Sequence, residues 1–218
     1  MIKFENTEVC GIRHAIRGMR NAMNSWDKSD SYIDERYNTV HIGENDKSLM
    51  QRLFNAGTDH RKYLRMITVY ADITAPLYWW KEYDTYKVGT VANSCSTMHT
   101  IHKRDLTLDD FSINNNQAGY YVDIIIDLNA LREKYCKTKD IETFRTLIGL
   151  LPSSYNQKRT VMLNYEVLAN IYKSRQGHKL KEWHEFIEWI EGLPHNELIR
   201  GEKHNEIEQG VHEKAGNN

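Results

Sequence analysis

Cysteine is scarce in this chain and badly spaced for pairing. The 218 residues hold three, Cys10, Cys95 and Cys136, far apart and with no C-x-x-C pair. That excludes a disulfide framework and a zinc knuckle, and a reducing compartment is the simpler home. No apolar run approaches the roughly 18 residues of a membrane helix, and the opening MIKFENTEVC lacks the apolar centre of a secretion signal. An excess of one charge is missing too: 29 Lys and Arg against 30 Asp and Glu leave a net charge of −1. No global field draws the chain to nucleic acid or to a membrane, although a local basic patch is compatible with that balance. The expectation is a soluble, cytoplasmic protein with neither of those partners.

Aromatic residues are what the chain has in quantity. Five Trp and thirteen Tyr within a 40% hydrophobic composition suffice for a sizeable core. The length suits one globular domain over 1–200. Residues 201–218, with no large apolar residue beyond Ile207 and Val211, read as a flexible tail.

Along the chain, 10–23 reads as a short helix with Ile12, Ile16 and Met19 on its apolar stripe. The turn-rich stretch 24–46 reads as a long loop. Asp46 or Ser48 is the expected cap of a helix carrying Leu49, Met50, Leu53 and Phe54, stopped at Gly57. The β-branched run 66–73 predicts a strand, and Pro76 suits the first turn of a helix over about 76–86. For Tyr120–Ile126 strand and helix remain open. A helix with Leu128, Leu131 and Tyr135 follows, and another over about 140–150. Pro152-Ser153-Ser154 breaks the chain ahead of an expected helix over 154–174, ended by Gly177. A last helix carries Leu180, Trp183, Phe186, Ile187 and Ile190.

Several groupings carry chemistry. Trp79, Trp80, Tyr83 and Tyr86 at helical spacing form either core or a ring-stacking wall. Ser94, Ser96 and Thr97 suit an oxyanion site or a polar capping turn. Lys81, Lys87 and Arg175 suit a cationic floor if they gather, and solvated surface if they do not. Arg13, Arg17 and Arg20, with His14, form a basic helical stripe beside Trp26 and Tyr32. It is either a solvated face or a phosphate contact. His99-x-x-His102 lacks a third ligand at a supporting spacing, so no metal is expected. Cys95 lacks a base that would activate it.

The order of these features resembles the flavin-dependent thymidylate synthases, the thymidylate synthase-complementing family, over roughly 80 residues. Asp59-His60 stands where that family has Gly-His ahead of a strand. Lys81-Glu82-Tyr83-Asp84-Thr85-Tyr86-Lys87 falls on its R-Q-W-x-R-H-R. Asn93-Ser94-Cys95-Ser96-Thr97-Met98-His99 falls on N-E-x-S-x-R-Y. Leu151-Pro152 precedes Asn164-Tyr165-Glu166 at the L-P to N-A-R spacing, and Leu168, Asn170 and Arg175 fall in step.

The resemblance implies an α/β (α+β) fold: one helix-rich domain with a small, partly antiparallel sheet, assembled as a homotetramer with pockets between subunits. It admits FAD as cofactor and a nucleotide-like small molecule as ligand. It implies a ligand site at His60, Lys81, Glu82, Lys87, Asn93, Ser94, Ser96, Asn164 and Arg175. The departures bear on chemistry. Met98 and Glu166 stand where the family has arginines that grip phosphate and base, Thr85-Tyr86-Lys87 stands at R-H-R, and Glu82 replaces Gln. Bidentate arginine is hard to replace in such work. The expected function is a diverged protein that sequesters or senses a nucleotide or flavin-like ligand without making thymidylate. The alternative is an active flavin-dependent enzyme acting on a pyrimidine nucleotide. Ser96, Lys81, Lys87, Asn164 and Arg175 are expected to converge on one cleft.

Overall fold

The computed structural model describes residues 2–37 and 39–201. The expected tail lies outside the described residues except for Gly201. In chain order the elements are β1 (Lys3–Cys10), α1 (Ile12–Met19), β2 (Tyr32–Asp34), β3 (Thr39–His41), α2 (Glu44–Asn55), β4 (Thr68–Pro76), α3 (Leu77–Tyr83), β5 (Val91–Ser94), α4 (Thr97–Thr100), α5 (Ala118–Thr138), α6 (Ile141–Leu150), β6 (Asn156–Asn164), α7 (Tyr165–Arg175), α8 (Lys181–Glu191) and α9 (Glu197–Arg200). Among the described residues no helix is long and apolar enough to cross a membrane.

The helix-rich α+β architecture is as expected, and its sheet is antiparallel throughout. Four strands pair in the order β1-β4-β6-β5, and β2 and β3 form a separate hairpin. Alternation fixes the faces. Val69, Ala71, Ile73 and Ala75 of β4 are buried, as are Val161 and Leu163 of β6. The register sets Val69 against Leu163 and Ala71 against Val161. A one-residue slip would turn this set to solvent, so the pairing is strongly specified. On the other face Asp72 accepts from Thr160 Oγ1 at 2.6 Å and from Asn6 Nδ2 at 2.9 Å.

β4 runs into α3 at Pro76, the last strand residue and the helix N-cap. The missing N–H is no loss there. Leu77 and Tyr78 donate their free N–H groups to the carbonyls of Tyr155 and Ser153. Trp79, Trp80 and Tyr83 then enter the main core with Trp183, Phe186 and Leu163. A second core joins Leu128 of α5 to Phe144 and Leu147 of α6 and to Ile101, Leu106 and Phe111. The open segment Tyr120–Ile126 lies within α5 and is helical.

Three expectations need correction. The helix expected over 154–174 is β6 followed by α7. Residues 156–164 pair with β4 and β5 on both sides, and the helix begins only where Asn164 Oδ1 accepts the N–H of Val167 at 3.0 Å. The loop 24–46 contains the β2–β3 hairpin. α2 starts at Glu44, and its free N–H groups at Asn45 and Asp46 donate to Asp30, at 2.9 and 3.1 Å. Neither Asp46 nor Ser48 caps it. Gly57, at φ +101°, does follow its end.

Asp46 has another task. It is fully buried and accepts from Arg20 Nε, Ser29 Oγ and Ser31 Oγ, each at 2.6 Å. Burial alone would raise its pKa, but the two hydroxyls and the guanidinium outweigh that and hold it below the ordinary 3.8. A depressed carboxyl contributes stability above its unfolded pKa that is lost as pH falls through the folded one. Asp46→Asn is expected to lower unfolding stability by about 3 kcal/mol, since it leaves Arg20 buried without a counter-charge. The loss of stability below about pH 4 should also be shallower in the variant than in the parent. Urea denaturation across pH 2–7 measures both; an unchanged acid limb would remove this role from Asp46.

Candidate functional site

α3 and α7 both end beside α8, and their last turns meet there. Arg175, in the last turn of α7, donates from Nε to Tyr86 Oη and from a terminal nitrogen to Glu82 Oε2, each at 2.8 Å. Its guanidinium lies over the Trp183 ring at 4.4 Å. Trp183 in turn donates its indole N–H to the same Glu82 oxygen at 2.9 Å. His178 Nε2 stands 3.4 Å from it. Glu82 thus accepts from one guanidinium and one indole while Arg175 is held on three sides. Of this group, Arg175 and Glu82 are site residues predicted from sequence; Tyr86 belongs to the predicted aromatic set.

The rest of that set is core. Trp79, Trp80 and Tyr83 are at most 2% exposed. They pack on one another and on Trp183 and Phe186 with ring centroids 4.9–6.2 Å apart. They form no open wall for a ligand ring. Met98 is half-exposed and fills nothing.

The remaining predicted residues stand at several places. His60, Lys81, Lys87, Asn93 and Ser94 are exposed. Asn93 and Ser94 lie on the edge strand β5, opposite Thr160 and Arg159. Ser96 is half-buried at the start of α4, and its carbonyl accepts from Thr100 Oγ1 at 2.8 Å. The turn between them is tied to β6: Cys95 donates to Lys158 O at 2.9 Å and its own carbonyl accepts from Gln157 Nε2 at 3.1 Å. Asn164 caps α7 and touches the loop carrying Lys87. A Cβ on Gly89 would come within 2.8 Å of Asn164 Nδ2, at a backbone φ of +79° that favours glycine. Arg175 lines a shallow cavity of about 300 Å³ with Tyr172 and His184. Within one chain, direct contact joins Glu82 to Arg175.

A second charged group lies outside the residues predicted from sequence. Glu166 is buried, and Arg61 Nε lies 3.0 Å from its Oε2 and 3.2 Å from its Oε1. The second arm of Arg61 donates to Asn170 Oδ1 at 3.0 Å. The sequence carries the signal in outline: an acid at a position expected to be basic calls for a cation, and Arg61 directly follows His60. Beside this trio lies a cavity of about 1100 Å³, lined by Thr58, Arg61, Asn170, Lys173 and Arg200 and bounded by Gly201, where the described residues end.

No family model matches the sequence, and no curated protein matches it. Solved structures do match. ThyX from Helicobacter pylori with FAD and dUMP aligns at a TM-score of 0.70 and 16% identity, over 93% of this chain and 98% of that one. A second Helicobacter pylori ThyX complex with FAD and dUMP aligns at 0.69 and 17%, over 91% and 98%. The fold is that of the flavin-dependent thymidylate synthases. PolB of Streptomyces cacaoi, a UMP/dUMP methylase bound with 5-Br dUMP, aligns at 0.57 and 11% identity over 88% of each chain.

Two acids of this chain, Glu82 and Glu166, are both neutralised from inside. Glu82 takes Arg175, and Glu166 takes Arg61. Arg61→Ala is expected to cost about 2 kcal/mol of stability, because it strands a buried carboxylate. Adding Glu166→Gln should restore most of the loss. A double-mutant cycle by thermal or urea unfolding reads the coupling; additive losses would show that the two side chains do not act as a pair.

Proposed function

We propose that this chain binds a nucleotide or flavin-like small molecule, to sequester or sense it, and does not make thymidylate. Support for binding comes from the fold. The Helicobacter pylori structures hold FAD and dUMP, and PolB holds a dUMP analogue, at 11–17% identity to this chain. Three structures of this architecture hold nucleotides, although fold alone never assigns chemistry. The surviving polar residues His60, Lys81, Lys87, Asn93, Ser94, Ser96 and Asn164 supply hydrogen-bonding groups at positions the family uses. The exposure of most of them in one chain suits a site completed between copies in a homo-oligomer, a tetramer by the resemblance.

The observation that carries the second half is Arg175. Its fork already holds Glu82 and the Tyr86 hydroxyl, and its face lies on Trp183. An incoming phosphate would have to displace a carboxylate that is itself held by an indole N–H. Exchanging one anion for another leaves little net gain, and Glu82 would remain to repel the newcomer. In the family the R-H-R residues help to hold the flavin and one further arginine, at Glu166 here, grips the nucleotide; both places tell the same story. Thr85-Tyr86-Lys87 replaces R-H-R, and Glu166 and Asn170 are both spent on Arg61. These residues do not fit FAD held in the family's manner.

The test uses the full chain. Incubation with dUMP, methylene-folate, reduced nicotinamide and FAD is expected to yield no thymidylate. Glu82→Gln is expected to free Arg175 and tighten binding of dUMP about tenfold or more by calorimetry. Thymidylate formed by the parent chain, or rescue of a thymidine-requiring strain, would overturn the first expectation. An unchanged affinity in Glu82→Gln would remove Arg175 from the site.

A further inference from the structure

A different cavity, of about 750 Å³, lies between α1 and the β2–β3 hairpin. It shares no lining residue with the Arg61 cavity or with the Arg175 group. Arg13 and Arg17, one turn apart on α1, line one wall. Both are exposed, and among the described residues neither pairs with an acid. Like charges at that spacing repel, and an anion between them relieves the repulsion. Their neighbour Arg20 is different: it is buried on Asp46.

The other walls carry rings. Trp26 and Tyr32 are 49% and 63% exposed, unusual for large aromatics. Both are nonetheless held in place. The Trp26 indole donates to Asn21 Oδ1 at 2.9 Å. Tyr32 stacks on His41 at 4.8 Å with 16° between planes. The segment between the rings is pinned by Asp46, which accepts from Ser29, from Ser31 and from Arg20. Rings fixed before a ligand arrives lose little freedom on binding. Buried Ile16 forms part of the floor. Glu35 is the one acid among the lining residues, so cation outweighs anion.

We propose that this cavity is a second binding site, for a small molecule that carries a planar heteroaromatic ring and one phosphate. The arginine pair takes the phosphate, and Trp26 and Tyr32 take the ring. The volume falls within the roughly 300–1,000 Å³ of small-ligand sites. A nucleic-acid strand is disfavoured, because two free arginines make a short phosphate track and the net charge is −1.

The experiment titrates the full chain with uridine monophosphate and with adenosine monophosphate, following tryptophan emission. Trp26→Phe identifies the signal of Trp26. A saturable change from Trp26 is expected with at least one of the two. The change should weaken about tenfold or more in Arg13→Gln/Arg17→Gln and persist in Arg175→Ala. Inorganic phosphate alone should bind far more weakly. Should the double variant fail to fold, Glu35→Gln serves instead, with affinity expected to rise severalfold. No signal with either nucleotide overturns the proposal. So does equal affinity in the double variant, no gain in Glu35→Gln, phosphate binding as well as the nucleotides, or displacement by a single-stranded oligonucleotide at lower concentration. Loss of the Trp26 signal in Arg175→Ala would also overturn it while leaving the reading of the Arg175 site intact.

Discussion

Trp183 is the residue on which both the packing of α3 against α8 and the Glu82–Arg175 group depend. Its ring is wholly buried and packs on Trp79 at 4.9 Å, which locks α3 to α8, and on Phe186 of its own helix at 5.7 Å. Burying a ring of this size removes about 200 Å² from water, several kcal/mol by area. The same side chain keeps one polar atom, and that atom goes to Glu82. Its outer face goes to Arg175. Core packing therefore aims the charged residues of the candidate site. A smaller residue there opens a cavity and releases Glu82 and Arg175 together.

Charge placement follows one rule at Glu82 and Glu166. An acid taken out of water is costly unless a cation meets it. Glu166 lies 105 residues from Arg61 in sequence and is in contact with it in space. Glu82 lies 93 residues from Arg175 and is likewise in contact. Such pairs are weak evidence of added stability, because desolvation consumes most of the attraction. They are better evidence about function. A guanidinium engaged by an internal carboxylate is not waiting for a phosphate. The same reasoning separates Arg13 and Arg17 from Arg20 on α1: the buried one has its acid and, among the described residues, the exposed two do not.

What can be read from sequence follows from how local each signal is. β4 is legible because Val69, Ala71 and Ile73 alternate over a β-branched run and Pro76 marks its end. α8 is legible because Trp183, Phe186 and Ile190 recur at helical spacing. β1 is not, since it is an edge strand facing the core mainly through Phe4 and Val9, with a register shift between Glu5 and Glu8. β6 is hidden because Val161 and Leu163 run directly into Val167, Leu168 and Ile171. A strand period and a helix period fuse there into one apolar run, and only pairing with β4 and β5 decides where one ends. The site divides in the same way. Glu82 and Arg175 come from aligned positions, whereas Arg61 emerges only from asking what neutralises Glu166.

The aromatic run of α3 shows why composition misleads about ligands. Trp79, Trp80 and Tyr83 follow a strand and precede a polar turn, the setting in which rings often face a bound base. Here they fill the space between the sheet and α8, whereas Trp26 and Tyr32, among the exposed rings, lie outside the core and beside arginines that meet no acid among the described residues. A ring surrounded by other rings gains nothing further from a ligand. A ring half in water, held by one hydrogen bond or one stacking partner, has its exposed face still to cover. Exposure combined with fixation, more than aromatic content, separates a binding surface from a packed core in this chain.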